Sequence, residues 1–394
     1  MTRQSIDEYA KAIRERYRKA PKEGKGKILD EFTQTTGLHR KAVIRLLNRI
    51  DQSPPKQRSG RPRQYGSEVA EALKTIWEAS DRLCSKRLKP FLPEMLQVLR
   101  HHGELPITIS TETHLCRMSP ATIDRLLRSW RQIGGRKPIS TTKPGNLLKS
   151  TIPIRTFAEW EDTKPGFLEV DLVGHCGESA EGLFLNTLCT VDVASGWLEC
   201  MPVWGKGQQR VKAAVHRVRR RLPFNLLGVD SDNGSEFINH CFYTYCREEK
   251  IIFTRSRSYK KNDSCHVEQK NGNVVRRLIG YDRYTSKAAH ACLERIYIVA
   301  RLYINFFQPT MKLYYKTRQG AKVHKVYEQA QTPYQRLREW GVLSTTKQAE
   351  LASVYAGLNP VLLLKQLNGH LEQLWRLADR SSVTGFMRQG RNLR

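Results

Sequence analysis

With 394 residues, 39% of them apolar, the chain is long enough for roughly two to four domains with cores of their own. Its 67 Lys and Arg against 38 Asp and Glu leave a formal charge of +29, which points to nucleic acid or an anionic membrane surface as the partner. Membrane insertion is excluded by the lack of any apolar run near the roughly 18–20 residues a span requires, and the polar start MTRQSIDEYAKAIRERYRKA does not read as a secretory signal. Nine cysteines, odd in number and without framework spacing, suit reduced thiols. The expected place of action is the cytoplasm, on DNA at the nucleoid of a bacterium. The charge is also segregated: residues 1–150 carry a net +16, residues 151–300 only +3 and residues 301–394 +10. That is the distribution of a nearly balanced core between basic arms.

In chain order, residues 25–49 predict two short helices about a Thr36-Gly37 break. Ile28, Leu29 and Phe32 face inward on the first, and Ala42, Val43, Leu46 and Leu47 on the second. This helix-turn-helix pattern leaves Arg40, Lys41 and Arg45 for DNA. The segment SPPKQRSGRPRQYG (53–66) is neither helix nor central strand. It reads as a basic linker, or as an arm carrying Arg61 and Arg63 into a minor groove. Amphipathic helices follow within 68–103. In SPATIDRLLRSW (119–130), Ser119 caps, Pro120 opens the helix, and Arg125 and Arg128 point away from the apolar stripe. A Gly/Lys/Pro/Ser/Thr-rich stretch, 133–152, then leads to a change of periodicity.

From residue 153 the pattern turns to strands. FLEVDLVG, LFLNTLCTVDVA and GWLECMPVW read as three strands at hairpin spacing, followed by helix 207–222, strand LLGVDS, helix 235–249, strand IIFTRS and helix 266–280. Three antiparallel strands and then alternating helix and strand imply a mixed sheet covered by helices. Three acids stand at its turning points: Asp171 inside the first strand, Asp232 closing the fourth in SDNGSEF, and Glu268 opening a helix in HVEQK, with 35 residues between the last two.

These residues resemble the DDE transposases and retroviral-type integrases. The likeness rests on EVDLVG, TVDVASGW, SDNGSEF and KKNDSCHVEQKNG, and covers about residues 153–310. With basic helix-turn-helix units upstream and no N-terminal His-His-Cys-Cys module, it is nearest to bacterial insertion-sequence transposases. The resemblance implies a ribonuclease-H-like α/β fold with a five-stranded mixed sheet. It also implies catalytic and metal-binding roles for Asp171, Asp232 and Glu268 with two Mg²⁺ ions (Mn²⁺ may substitute), Asp171 bridging both. It selects Asp232 over Asp230, which shares the same strand face, and leaves Asp192 structural and Glu169 a weak candidate. Two such cations serve phosphodiester chemistry by activating the attacking oxygen and holding charge on the leaving one. Lys270, Asn273 and Arg277, at helical spacing after the glutamate, and Lys260 and Lys261 before it, are candidates to follow the DNA backbone.

The domains read as 1–52, 53–66 (linker), 67–132, 133–152 (linker), 153–310 and a basic, mainly helical 311–394. Within the last, Leu364, Leu367, Leu371 and Leu374 form a stripe for burial or protomer pairing, and 301–320 reads either as DNA-contacting or as the packed end of the core. His240, Cys241, Cys246, Cys265 and His266 match no structural zinc spacing, and no ATP loop is present. The expected function is transposition: binding of terminal inverted repeats in double-stranded DNA, nicking and strand transfer, by homo-oligomers assembled on DNA. The rivals are a domesticated regulator with an inactive core and a ribonuclease-H-type nuclease.

Overall fold

The computed structural model describes residues 1–48, 64–131, 164–257 and 264–379. The chain divides into two compact units, Met1–Gln64 and Tyr65–Arg394.

The first unit holds α1 (Arg3–Lys19), α2 (Lys22–Thr36) and α3 (Arg40–Leu47). Its core joins Ala10, Ile13 and Tyr17 of α1 to Ile28, Leu29, Phe32, Val43 and Leu47. Of the expected apolar stripes, Ile28, Leu29, Phe32, Val43 and Leu47 are buried, whereas Leu46 is half-buried and Ala42 exposed. Gly37 makes the break by taking φ of 71°, a left-handed conformation that closes α2 through its N–H on Thr33 O. Helix α1 has no counterpart among the expected elements. Its inward residues stand at i, i+3 and i+7, but the charged residues between them mask the period.

The second unit opens with α4 (Ser67–Ala79), α5 (Ser85–His101), α6 (Ile109–Arg117) and α7 (Pro120–Leu126). Ser119 caps α7 by accepting from Thr122 N, with Pro120 at the first turn as expected. These helices share one hydrophobic core with the sheet that follows. The Tyr303 hydroxyl donates to Ala79 O at 2.9 Å, and Gln308 Nε2 donates to Ser80 O at 2.9 Å.

The sheet contains β1 (Phe167–Gly174), β2 (Leu185–Asp192), β3 (Leu198–Trp204), β4 (Gly228–Ser231) and β5 (Ile252–Arg255), in the order β3-β2-β1-β4-β5. β1, β2 and β3 run antiparallel, whereas β4 and β5 run parallel to β1. This is the mixed five-stranded arrangement that the sequence implies, with β1 and β4 adjacent at its centre. Parallel neighbours need crossovers, which α8 (Gln208–Arg221) and α9 (His240–Glu248) supply. β2 is buried along its whole length, as a strand covered on both faces must be. Helix α10 (Cys265–Lys270) passes into a π turn, Asn271–Arg276, and ends as α11 (Arg277–Ile279).

Long helix α12 (Lys287–Phe307) buries Tyr297, Phe306 and Phe307. An exposed two-stranded ribbon follows, β6 (Leu313–Gln319) and β7 (Lys322–Tyr327), then α13 (Pro333–Trp340), α14 (Thr345–Ala356) and α15 (Pro360–Arg376). Helix α15 packs on α12 with Leu367, Leu371 and Leu374 of the expected stripe buried, Leu363 buried as well and Leu364 only half-buried, so within this chain the stripe already has a partner.

Candidate active site

Because β1 and β4 are parallel and in register, their alternate side chains come together in rows. Glu169 lies opposite Asp230 and Val170 opposite Ser231, so the next position brings Asp171 towards Asp232. The result is two layers of acids on one face. Glu169 (0% exposed) and Asp230 (1%) form the inner layer, while Asp171, within β1, and Asp232, just past the end of β4, are half-buried.

The outer pair behaves as two negative charges forced together. Burial and the Asp232 carboxylate push Asp171 up to about 7. Asp232 is raised as well, by burial and then by Glu236 and Glu268, against the lowering effect of the Gly234 N–H. That N–H donates to Asp232 Oδ1 at 2.9 Å and turns the chain sharply after β4. A Cβ at Gly234 would come within 2.7 Å of the Glu236 carboxylate and 2.9 Å of Asp232 Oδ1, so a larger residue there would displace both carboxylates. Asn233 fastens the loop to β5, donating to Ser256 O at 2.9 Å and accepting from Arg255 at 3.1 Å.

Glu268 sits exposed on α10, within electrostatic reach of Asp232 and Glu169. The strand bearing Asp171 grips this helix on both sides of Glu268. Val267 N donates to Glu169 Oε2 at 2.8 Å, and Asn271 Nδ2 donates to Asp171 Oδ2 at 2.6 Å. The first contact satisfies an otherwise orphaned N–H in the opening turn of the helix. The second orients an acid of the outer pair. Neither partner stood out in the sequence. Glu169 was only a weak candidate, and Asn271 was not singled out at all. Glu236 is the third addition, buried and paired with Lys206 at 3.4 Å.

The ligand atoms of Asp171, Asp232 and Glu268 do not all lie within 4.8 Å of one another. Among the described residues the group that does is Glu169, Cys265 and His266. Two of its members belong to the set that the sequence gave no zinc spacing, and the third already holds α10. A two-cation site has no need of a single tight cluster, because its outer ligands serve different ions about 3.5–4 Å apart. Asp192 is fully buried and accepts from Gly166 N, Ser195 N and Ser195 Oγ at 2.8, 2.7 and 2.5 Å; it builds the β2–β3 turn.

The candidate DNA contacts fall in different places. Lys41, Arg45, Arg125 and Arg128 are exposed, and Arg40 is paired with Asp30. The helix after Glu268 does not offer Lys270, Asn273 and Arg277 as one outward face. The π turn inserts an extra residue into the winding, which rotates Lys270 inward and leaves Asn273 and Arg277 outside. Lys270 is 8% exposed, and burial pulls its ammonium down to about 8. Arg277 donates to Asp81 Oδ1 at 3.0 Å across a cleft of about 370 Å³ that Lys86 and Arg87 also line. Arg61, Arg63, Lys260 and Lys261 lie outside the described residues.

No family model matches the chain. It is 46% identical over 329 residues to the uncharacterized protein y4rM of Sinorhizobium fredii (strain NBRC 101917 / NGR234), covering 84% of this chain and 94% of that protein. Among solved structures it is similar to the catalytic core domain of HTLV-2 integrase in complex with magnesium, at 17% identity and a TM-score of 0.29 over 37% of this chain and 90% of that one. It is also similar to the BIV integrase catalytic core, at 18% identity and a TM-score of 0.28 over 44% and 94%. At such scores the likeness is too slight to bear on mechanism.

Proposed function

We propose that this chain, which belongs to the family of the Sinorhizobium fredii protein y4rM, is a DNA transposase of the DDE type. It would bind the terminal inverted repeats of its element, nick them and join the 3′-hydroxyl to target DNA. The observation that carries the reading is the placing of Asp171, within β1, and Asp232, just past the end of adjacent β4, on one face, with the Glu268 helix hydrogen-bonded to β1.

The donor set fits hard divalent cations. All three groups are carboxylates, the type of ligand Mg²⁺ takes, and the raised Asp171 and Asp232 show two charges in need of neutralisation. Asp171 would hold both ions, Asp232 one and Glu268 the other; when bound, the ions activate the attacking oxygen and hold charge on the leaving one. The chain's own residues do the positioning. β1 and β4 fix the two aspartates, Gly234 N–H aims Asp232, Asn271 aims Asp171, and Glu169 seats the helix that presents Glu268.

Glu236 favours a second reading, a ribonuclease-H-type nuclease, since it brings a fourth carboxylate near Asp171 and Asp232. Its pairing with Lys206 argues for a supporting role instead. The test uses duplexes carrying the repeats that flank the gene, with Mg²⁺. Wild-type protein should nick their ends and transfer the strand, and Asp232→Asn should bind them without cutting. Cleavage of an RNA–DNA hybrid in preference to such ends would favour the nuclease, and nicking by the variant at the wild-type rate would overturn both.

A further inference from the structure

The ribbon β6–β7 is unlike every other strand in the unit, because it is uncovered on both faces. Two-stranded ribbons are marginal in water unless something packs on them. Yet this one is built with care. Gly320 takes φ of 58°, as a two-residue hairpin loop between Gln319 and Lys322 requires at its first central position. Its base is anchored: Lys312 Nζ donates to Val193 O at 2.8 Å, Glu328 N to Lys312 O at 2.9 Å, and Arg336 Nη1 to Thr310 Oγ1 at 2.8 Å. The arm therefore projects from a fixed root.

Its charge is one-sided. Between Leu313 and Tyr327 there are four Lys or Arg and no Asp or Glu. The register sets Lys316 directly opposite Lys325 and Arg318 opposite Val323, so three cations share one face. Like charges facing each other across a strand pair are destabilising. An anion laid along that face turns the repulsion into attraction. The spacing of alternate residues along a strand, about 6.6–6.8 Å, is close to the step between successive phosphates of one DNA strand. The opposite face carries the fourth cation, Lys322, with Tyr315 and His324, whose rings lie 6.4 Å apart.

We propose that the ribbon is a clasp for duplex DNA, and that the Lys316–Arg318–Lys325 face holds the phosphate backbone of the target. This rests on the transposase reading and assigns the partner of a surface which that reading leaves open. Target DNA is chosen over element ends because contacts made by lysine and arginine to phosphates carry no sequence information, and that face has no amide side chain to read a base.

The experiment measures binding of full-length protein to a random-sequence duplex over a range of salt. The triple variant Lys316→Ala/Arg318→Ala/Lys325→Ala should bind more weakly. Its log–log salt slope should be shallower by about 2.7, since each lost phosphate contact releases about 0.9 of a counterion. Lys365→Ala, on exposed α15 surface, is the charge control and should leave the slope unchanged. Mg²⁺-dependent nicking of repeat-bearing duplexes by the triple variant should match wild type. An unchanged slope with nicking intact would overturn the clasp alone. A shallower slope in a protein whose wild type never nicks would support the clasp and remove the transposase reading. If the ribbon instead pairs with a second copy, Tyr314→Ala/Tyr315→Ala would shift sedimentation to monomer while the triple variant kept its slope; that result too would overturn the proposal.

Discussion

Glu169 and Asp171 occupy the same strand, point to the same face and differ by two residues, yet their surroundings oppose each other. Glu169 is sealed between Asp230 and the backbone of α10, and burial pushes its carboxyl up to about 8. Asp171 stands one pleat further out, with Asn271 and Leu172 N donating to it among the described residues. On β4 the same division separates Asp230, which accepts from Thr254 Oγ1 at 2.6 Å, from Asp232 in the turn. A distance of one pleat along a parallel pair separates acids sealed into hydrogen bonds from acids that stay half-exposed.

The largest effect should come from the outer layer. Asp171→Asn or Asp232→Asn should cut nicking by about 10³-fold, which is several kcal/mol of transition-state stabilisation, while duplex binding and melting temperature hold. Equal losses of binding would show that the outer acids are structural after all. Next, Glu169→Ala should destabilise the protein by about 1–3 kcal/mol, because it leaves a buried backbone donor at the start of α10 unpaired; chemical denaturation reads this directly. Glu169→Gln retains an acceptor and should recover most of the loss. A Glu169→Gln protein that keeps wild-type stability yet no longer nicks would break the division between the layers from the other side.

Asn271→Ala sharpens the contrast, since it touches the outer layer without being an acid. Stability should fall by about 0.5–1.5 kcal/mol, the worth of one hydrogen bond, while the Mg²⁺ concentration for half-maximal nicking rises. A change in stability with no change in metal demand would move Asn271 to the structural side. The contrast furthest from the outer acids concerns His175, just beyond β1. Its Nε2 lies 2.7 Å from Thr187 Oγ1, and burial with Arg276 nearby lowers its imidazole to about 3. The unfolded chain takes up this proton near pH 6.5 and the folded chain does not, so this contribution to stability is complete above about 6.5 and is lost as pH falls toward 3. The slope is at most about 1.4 kcal/mol per pH unit, and His175→Gln should flatten it in unfolding curves between pH 7 and 5.

The centre of the sheet was legible in the sequence because strand pattern and motif agreed there. FLEVDLVG and the run into SDNG are apolar segments ended by turn residues, and the strands fall where those patterns lie. The aspartates could be named because their neighbours are distinctive. What escaped depends on long-range contact. Glu169 acquires its role from an amide 98 residues away and Asn271 from a carboxylate 100 residues away, and no local pattern encodes either meeting. Lys270 was misjudged for a different reason, because helical spacing presumes 3.6 residues per turn and the π turn departs from it. In 301–320 only the first part agrees with the packed-end reading. Phe306 and Phe307 are packed in α12, whereas Tyr314 and Tyr315 stand exposed on the ribbon.

The joint core of α4–α7 and the sheet has a consequence for how this chain can change. A segment that looks exchangeable is welded to α12 at Ala79 and Ser80 and to the turn after Glu268 at Asp81. A fragment beginning at residue 164 would strip apolar side chains of cover and should aggregate. Swapping in the corresponding helices of a relative would demand matched residues at Tyr303, Gln308 and Arg277, so whatever those helices recognise is inherited together with the chemistry.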